Sequence, residues 1–444
     1  MAATVSPYPH SWSKSFAHWW NTSTTSSASA EEALLRRGLE PSIPLYIAPS
    51  SPIAANASEA QSDRKAGSSG KLAISRSVQL DDRHKHQRLN LVEIGTPERD
   101  AKEHPVIVLH GYGGGLAYYW QNLHAMAAQD DVRLYLVDWL GMGRSGRPSF
   151  PRIKAKGDPR TPANVRSRVQ QAEEFFVESL EMLRQKEKIE KFTLVGHSLG
   201  GYMSIAYALK YPEKVSKLVL VSPVGIPESP YESDPYDDPA PSQANLERIT
   251  QAEFKQSQID MQRGSQPDEA EAKKLPRPNA WWAWLWERNV SPFQIVRLST
   301  FLGPALVSRY ATRRYAAFDT PVQRELYAYL YEICREKGSG EYALAHILSP
   351  GAYARWPMVK RVNSLNMPMT FIYGEHDWMD PKGGEDILAA IRAKPDSAAV
   401  KLQKLRSKQK INQHSGHWVF LDNPKGFDKI LAAELREAVQ DAKL

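Results

Sequence analysis

The feature that most constrains the fold is a series of short, unbroken apolar runs, each closed by turn residues. Residues 105–110 (PVIVLH), 133–139 (RLYLVDW), 192–198 (FTLVGHS), 217–225 (KLVLVSPVG) and 369–374 (MTFIYG) are such runs. Val, Leu and Ile in succession, rather than alternating with polar residues, suit strands covered on both faces in a parallel sheet. Helical patterns at 165–188 and 199–211 lie between the early runs. Strands alternating with helices predict an α/β fold with a largely parallel sheet. That rhythm breaks between 226 and 365, where 226–279 is rich in Pro, Asp and Glu and no strand run appears before Met369. This stretch is expected to be an inserted, mainly helical cap over the loop end of the sheet. The expected division is an N-terminal Trp- and Ser-rich segment with a linker at 1–87, a first core part at 88–225, the cap at 226–365 and a second core part at 366–444.

The N-terminal segment contains Trp12, Trp19 and Trp20, a helix-like stretch at 30–37 (AEEALLRR) and a linker-like stretch at 48–71. A hydrophobic share of 42% over 444 residues excludes a mostly disordered chain. The single cysteine, Cys334, excludes a disulfide framework. The Cys/His pairs of zinc fingers are absent, and no metal or cofactor is expected. The most apolar run, WWAWLW at 281–286, is far shorter than the roughly 18–20 residues a membrane span needs. No secretory apolar region follows Met1. Residues 1–30 lack Asp and Glu and are rich in Ser and Thr, as in a mitochondrial presequence, although Lys14 is the only strongly basic residue before Arg36.

Gly196-His197-Ser198-Leu199-Gly200 is a GxSxG pattern at the junction of a strand run and a helix. On such a tight turn the serine hydroxyl is presented at a helix N-terminus, whose partial positive charge favours developing negative charge. A serine needs a base, and a base needs an orienting acid. In α/β-hydrolases these follow the nucleophile in the order acid, then histidine. Asp377 follows the strand run at 369–374 with GxxD spacing from Gly374, and Asp380 is the alternative acid. His417, preceded by Gly416, is expected to be the base, with His376 and His414 as surface or supporting histidines. An oxyanion hole requires two backbone N–H groups, expected from Leu199 and from Tyr112 or Gly113 in the HGYGGG loop. No GK[ST] follows Gly113–Gly115, which argues against a phosphate-binding P-loop.

With these elements in order, the chain resembles the α/β-hydrolase-domain lipid enzymes. That group includes N-acyl-phosphatidylethanolamine lipase, the lipid-droplet lipase coactivator and the fungal cardiolipin-specific deacylase. The resemblance rests on HWWNTSTTSSASAEEALL, LHGYGGG, VDWLGMGRSGRP and GHSLGGY, then WERNVSPF and LGPALVSRY in the cap, then YGEHDWMD and GHWVFLDNP. These span about residues 17–425, and the WMD acid loop is most similar to the deacylase branch. The resemblance implies an α/β-hydrolase fold and acyl chemistry on glycerophospholipids, with Ser198, Asp377 and His417 as triad. It implies cardiolipin remodelling or acyl transfer to lysophosphatidic acid, and a mitochondrial membrane location, with cytoplasm or lipid-droplet surface as alternatives. One family branch lacks the serine and acts by recruiting lipases, whereas this chain keeps Ser198. The alternatives are a general carboxylesterase or a lipid-surface adaptor. The family's HxxxxD signature falls on His417 and Asp422, and Asp422 is expected to be a structural acceptor.

The net charge of +7 resolves into opposing blocks. Residues 144–168 hold eight basic residues against Asp158, residues 392–410 hold seven against Asp396, and 226–275 holds 11 acids against five bases. Trp12, Trp19 and Trp20 with Arg152, Lys154 and Lys156 are the candidate lipid interface, through apolar insertion and attraction to anionic headgroups. A phospholipid substrate and peripheral membrane contact are therefore expected. Nucleic acid is not, because no recognition motif accompanies the charge. Oligomeric state stays open.

Overall fold

A computed structural model describes residues 11–21, 24–48, 65–98, 102–154, 161–229 and 280–443. Nine strands form one sheet in the order β1-β2-β3-β5-β4-β6-β7-β8-β9. They are β1 (Leu45–Ile47), β2 (Leu72–Gln79), β3 (Arg88–Gly95), β4 (His104–Leu109), β5 (Val132–Val137), β6 (Phe192–His197), β7 (Val215–Val221), β8 (Met369–Gly374) and β9 (Lys408–Asn412). β3 runs antiparallel to both its neighbours, β2 and β5, while the remaining pairings are parallel.

The five apolar runs are the five central strands, and every residue of β5, β6 and β8 is buried. Their side chains alternate between two cores. Ile107 and Leu109 of β4 pack toward helices Pro162–Lys186 and Leu199–Lys210, whereas Val106 and Val108 pack toward Thr24–Leu39, Thr320–Arg335 and Pro424–Ala442. A strand with helices on both faces has no water-facing side, which is why its sequence carries no alternation.

β1, β2, β3 and β9 escape an apolar-run reading for physical reasons. β9 is an edge strand whose Lys408 and Lys410 suit an edge that must not template further pairing. β2 and β3 are interrupted by Arg76, Asn90 and Glu93. Glu93 is buried yet paired, accepting from Arg133 at 2.7 Å and Arg76 at 2.8 Å. The stretch ahead of residue 88 thus adds two strands to the sheet as well as helices Trp12–Asn21 and Thr24–Leu39. Most of the linker-like stretch lies outside the described residues, but Lys71 at its end is buried and donates to the Gln129 and Val132 carbonyls.

In the cap region, residues 230–279 lie outside the described residues, and the rest is helical: Ala280–Glu287, Pro292–Leu298, Gly303–Arg314, Thr320–Arg335 and Leu344–Ile347. Ser291 and Asp319 cap two of these helices, accepting the Gln294 and Val322 N–H, each with a proline in the first turn. Val322, Leu326, Tyr329, Leu330 and Ile333 form the buried stripe of Thr320–Arg335, at the three- and four-residue spacing of an amphipathic helix.

Candidate active site

Four loops meet at the carboxyl end of the central strands, where an open α/β sheet offers its crevice. Ser198 stands between β6 and helix Leu199–Lys210 with φ 53° and ψ −115°. This left-handed backbone is costly for a serine and is held by its surroundings. The Ser198 N–H donates to the Val221 carbonyl at 2.9 Å, and its own carbonyl accepts from Tyr202 at 3.1 Å and Val224 at 3.3 Å. The turn is tight enough that a Cβ at Gly200 would lie 2.7 Å from the carbonyl oxygens of both Leu109 and His110, so only glycine fits.

His417 lies between Asp377 and Ser198. Its Nε2 is 3.1 Å from Ser198 Oγ and its Nδ1 is 3.0 Å from Asp377 Oδ1. The Asp377 side chain is 1% exposed and that of His417 11%. Asp377 Oδ1 also accepts the Met379 N–H at 3.0 Å, and the Trp378 ring lies 4.9 Å from the imidazole. The alternative acid, Asp380, is exposed and accepts the Lys382 N–H at the start of the next helix. The other two histidines of this region face Glu375, His376 and His414 each at 3.8 Å, rather than Ser198.

The HGYGGG loop follows β4 and lies directly on the nucleophile, since a Cβ at Gly111 would come within 2.9 Å of Ser198 Cβ. Among the described residues, neither the Tyr112 nor the Gly113 N–H donates to a protein acceptor. Leu199 opens the helix after Ser198, where the first N–H groups have no intrahelical partner. Leu199 and Gly111 thus border the serine. Tyr112 stacks on Phe293 of the cap, with ring centroids 5.0 Å apart and 15° between planes.

Several supporting residues carry no motif of their own. His197 is buried, and burial followed by the nearby His417 pushes its pKa well below the usual imidazole range. It is therefore neutral, and its Nε2–H donates to the His417 carbonyl at 3.0 Å. His110 is likewise lowered by burial, accepts the Trp139 N–H at Nε2 and donates from Nδ1 to the Gly111 carbonyl. Asp138 accepts the N–H of Leu116 at 2.7 Å, that of Arg144 at 2.8 Å and the Asn90 amide at 2.9 Å. Asn90 also donates to the buried Glu31, tying helix Thr24–Leu39 through β3 to the loop after β5. Sequence reasoning reached His197, His110, Asp138 and Glu31 only as members of matched blocks and did not reach Asn90; nothing in their spacing marks them as partners.

Asp422 is a structural acceptor, as expected. Its two oxygens take Arg314 at 2.9 Å and the Gly416 N–H at 3.0 Å. Among the described residues, no group of three or more His, Cys, Asp or Glu is placed to hold a metal ion, and no helix is long and apolar enough to cross a membrane.

The candidate lipid-facing residues separate into two kinds. Trp12, Trp19 and Trp20 are 68%, 37% and 71% exposed, and Phe16 and Phe301 beside them are also exposed. Their helix is anchored through Ser15, which is buried beside them, donates to the Phe301 carbonyl at 2.6 Å and accepts the Ala305 N–H. In the basic block, Arg152 and Lys154 are exposed, and Lys156 lies outside the described residues. Arg144 is engaged with buried Glu31 at 2.6 Å, and Arg147 donates to the Gly141 and Gly143 carbonyls. In the second block, Lys404 pairs with Asp396, Arg406 with Glu437 and Asp441, and Lys408 with Glu434 and Glu437. Charge counted along the chain therefore overstates the charge offered to solvent.

Fold and site together define an α/β hydrolase, and the chain belongs to the α/β hydrolase fold family, whose sequence pattern matches residues 104–424. Its relatives place it among the lipid-related members. It is 32% identical to the 1-acylglycerol-3-phosphate O-acyltransferase of Arabidopsis thaliana, over 78% of this chain and 70% of that one. It is 29% identical to the (lyso)-N-acylphosphatidylethanolamine lipase of Mus musculus, over 74% and 78% of the two chains. It is 28% identical to the 1-acylglycerol-3-phosphate O-acyltransferase ABHD5 of Rattus norvegicus, over 73% and 75%.

Proposed function

We propose that the protein is a serine acyl hydrolase of glycerophospholipids, with Ser198 as nucleophile, His417 as general base and Asp377 as the orienting acid. The observation that carries this reading is the continuous line from Asp377 through His417 to Ser198, at 3.0 and 3.1 Å. Ser198 Oγ attacks the ester carbonyl carbon while His417 Nε2 takes the hydroxyl proton. The tetrahedral oxyanion is received by the N–H of Leu199 and that of Tyr112 or Gly113. Collapse breaks the acyl–oxygen bond, the lysophospholipid leaves with the proton from His417, and Ser198 holds the acyl group. Water deprotonated by His417 then releases the fatty acid. A lysophosphatidic acid hydroxyl in the same position takes the acyl group instead, and the outcome depends on how far the cap excludes water.

The lipid approaches through the face bearing Trp12, Phe16 and Trp20, with Arg152 and Lys154 attracting anionic headgroups at about 1 kcal/mol each near the surface. Beside Arg152, a cleft of about 450 Å³ with Phe150, Ile153, Tyr342 and His346 on its walls gives a headgroup room. Cardiolipin is the proposed substrate and a mitochondrial membrane the proposed location, both following the family resemblance. Lipid profiling of cells lacking the protein tests the substrate: cardiolipin acyl chains should change while triacylglycerol stays constant. Membrane fractionation tests the location. Labelling with a fluorophosphonate tests the chemistry: wild-type protein is labelled and Ser198→Ala is not. Wild-type protein that takes no label at Ser198 favours the adaptor reading instead.

A further inference from the structure

The loop that carries His417 is gripped from the cap. Arg314 ends the cap helix Gly303–Arg314, and its Nη2 donates to Asp422 Oδ1 at 2.9 Å. The two side chains are 7% and 11% exposed. Asp422 Oδ2 accepts the N–H of Gly416, the residue before His417, at 3.0 Å. The Arg314 guanidinium lies 5.7 Å from the ring centroid of Trp418, the residue after it. The His417 carbonyl itself is held by His197. Three consecutive residues are thus fixed by contacts outside their own loop, and two of those contacts come from one arginine–aspartate pair. A planar guanidinium can hold a carboxylate and cover a ring at once, which a lysine ammonium cannot reproduce.

We propose that Arg314 and Asp422 are a positioning pair through which the cap sets the reach of His417 Nε2 toward Ser198 Oγ. This rests on the reading of Ser198 as nucleophile. Neither residue touches the reacting atoms, and both oxygens of Asp422 are engaged. The HxxxxD spacing between His417 and Asp422 is then a clamp on the base loop rather than a second acid–base site. The pair also makes the base sensitive to where helix Gly303–Arg314 sits, so the cap bears on proton transfer as well as on access.

The test is the rate and the final stoichiometry of fluorophosphonate labelling at Ser198, with kcat and KM for a short-chain nitrophenyl ester. The full-length protein is compared with Arg314→Met, Arg314→Lys, Asp422→Ala and Asp422→Asn. Loss of fold lowers the fraction of molecules that label; loss of positioning lowers the rate with the stoichiometry kept. Expected are at least tenfold slower labelling and lower kcat for Arg314→Met and Asp422→Ala, with KM within twofold. Asp422→Asn, which keeps an oxygen for the Gly416 N–H, should stay within about threefold of wild type, and Arg314→Lys should fall between. If either alanine or methionine variant does not fold, slower labelling at full stoichiometry in Arg314→Lys relative to Asp422→Asn still supports the pair. Wild-type rates in all folded variants overturn it while leaving Ser198 as nucleophile. A wild-type protein that does not label at Ser198 removes the nucleophile reading, and the pair with it.

Discussion

Nδ1 of His417 lies 3.0 Å from Oδ1 of Asp377, while Asp380, three residues on, faces solvent and holds the N–H of Lys382. In the proposed mechanism the carboxylate of Asp377 keeps the imidazole in the tautomer that leaves Nε2 free to accept a proton from Ser198. An amide in its place favours the wrong tautomer without disturbing the fold. Asp377→Asn is therefore expected to lower kcat for ester substrates by about 10³- to 10⁴-fold, with Asp380→Asn within about threefold of wild type. Steady-state kinetics of the two variants checks this, and the reverse ranking moves the acid to Asp380.

Glu31 should make stability depend on pH. Burial, opposed by Arg144 and reinforced by Asp138, raises its pKa from 4.5 to about 7. In the unfolded chain the group ionises near 4.5, so between there and about 7 the folded state binds more protons. Stability from this group is therefore present at low pH and lost as pH rises through that window. Glu31→Gln does not titrate, so its melting temperature relative to wild type should rise between pH 5 and pH 8. The change should be on the order of 3 kcal/mol at most. A constant difference across that range contradicts the assignment.

The exposed aromatic face predicts separable effects on membrane binding and folding. Trp12→Ala with Trp20→Ala removes two large apolar side chains at 68% and 71% exposure. Thermal stability should change by less than about 0.5 kcal/mol, since little packing is lost. Partitioning onto cardiolipin-containing vesicles should fall at least tenfold, because full burial of each such side chain contributes about 1.5–3 kcal/mol. Arg152→Glu with Lys154→Glu should also weaken binding, and more so at low salt. Vesicle sedimentation reads both pairs, and unchanged sedimentation returns these residues to ordinary surface.

Asp138 predicts the opposite pattern, a structural loss with no change in lipid affinity. Asp138→Ala strands the N–H groups of Leu116 and Arg144, while the Asn90 amide keeps its bonds to Glu31. An unmet buried donor costs about 1–3 kcal/mol, so the variant should lose at least about 2 kcal/mol. Chemical denaturation measures this, and a loss below 1 kcal/mol would show that water replaces the carboxylate.

What the sequence made legible follows from what each part is buried against. The central strands read clearly because helices cover both faces and force unbroken apolar runs. Ser198 read clearly because its turn demands small neighbours, as Gly200 against Leu109 and His110 shows. β2 and β3 were illegible because their polar residues are satisfied by partners distant in sequence, such as Arg133 for Glu93. Arg314 was illegible for the same reason, lying 108 residues from Asp422. The charge blocks were only partly legible because adjacency in sequence does not report pairing in space: Arg144 belongs to Glu31 and Lys408 to Glu437, while Arg152 and Lys154 are exposed.

The most direct measurement is release of fatty acid from glycerophospholipid vesicles by purified protein, with Ser198→Ala as its pair and lysophosphatidic acid supplied as a competing acceptor. The wild-type protein should release fatty acid or move it onto the lysolipid, and Ser198→Ala should do neither. Equal turnover by Ser198→Ala, or none by the wild-type protein, contradicts an acyl-enzyme formed at Ser198.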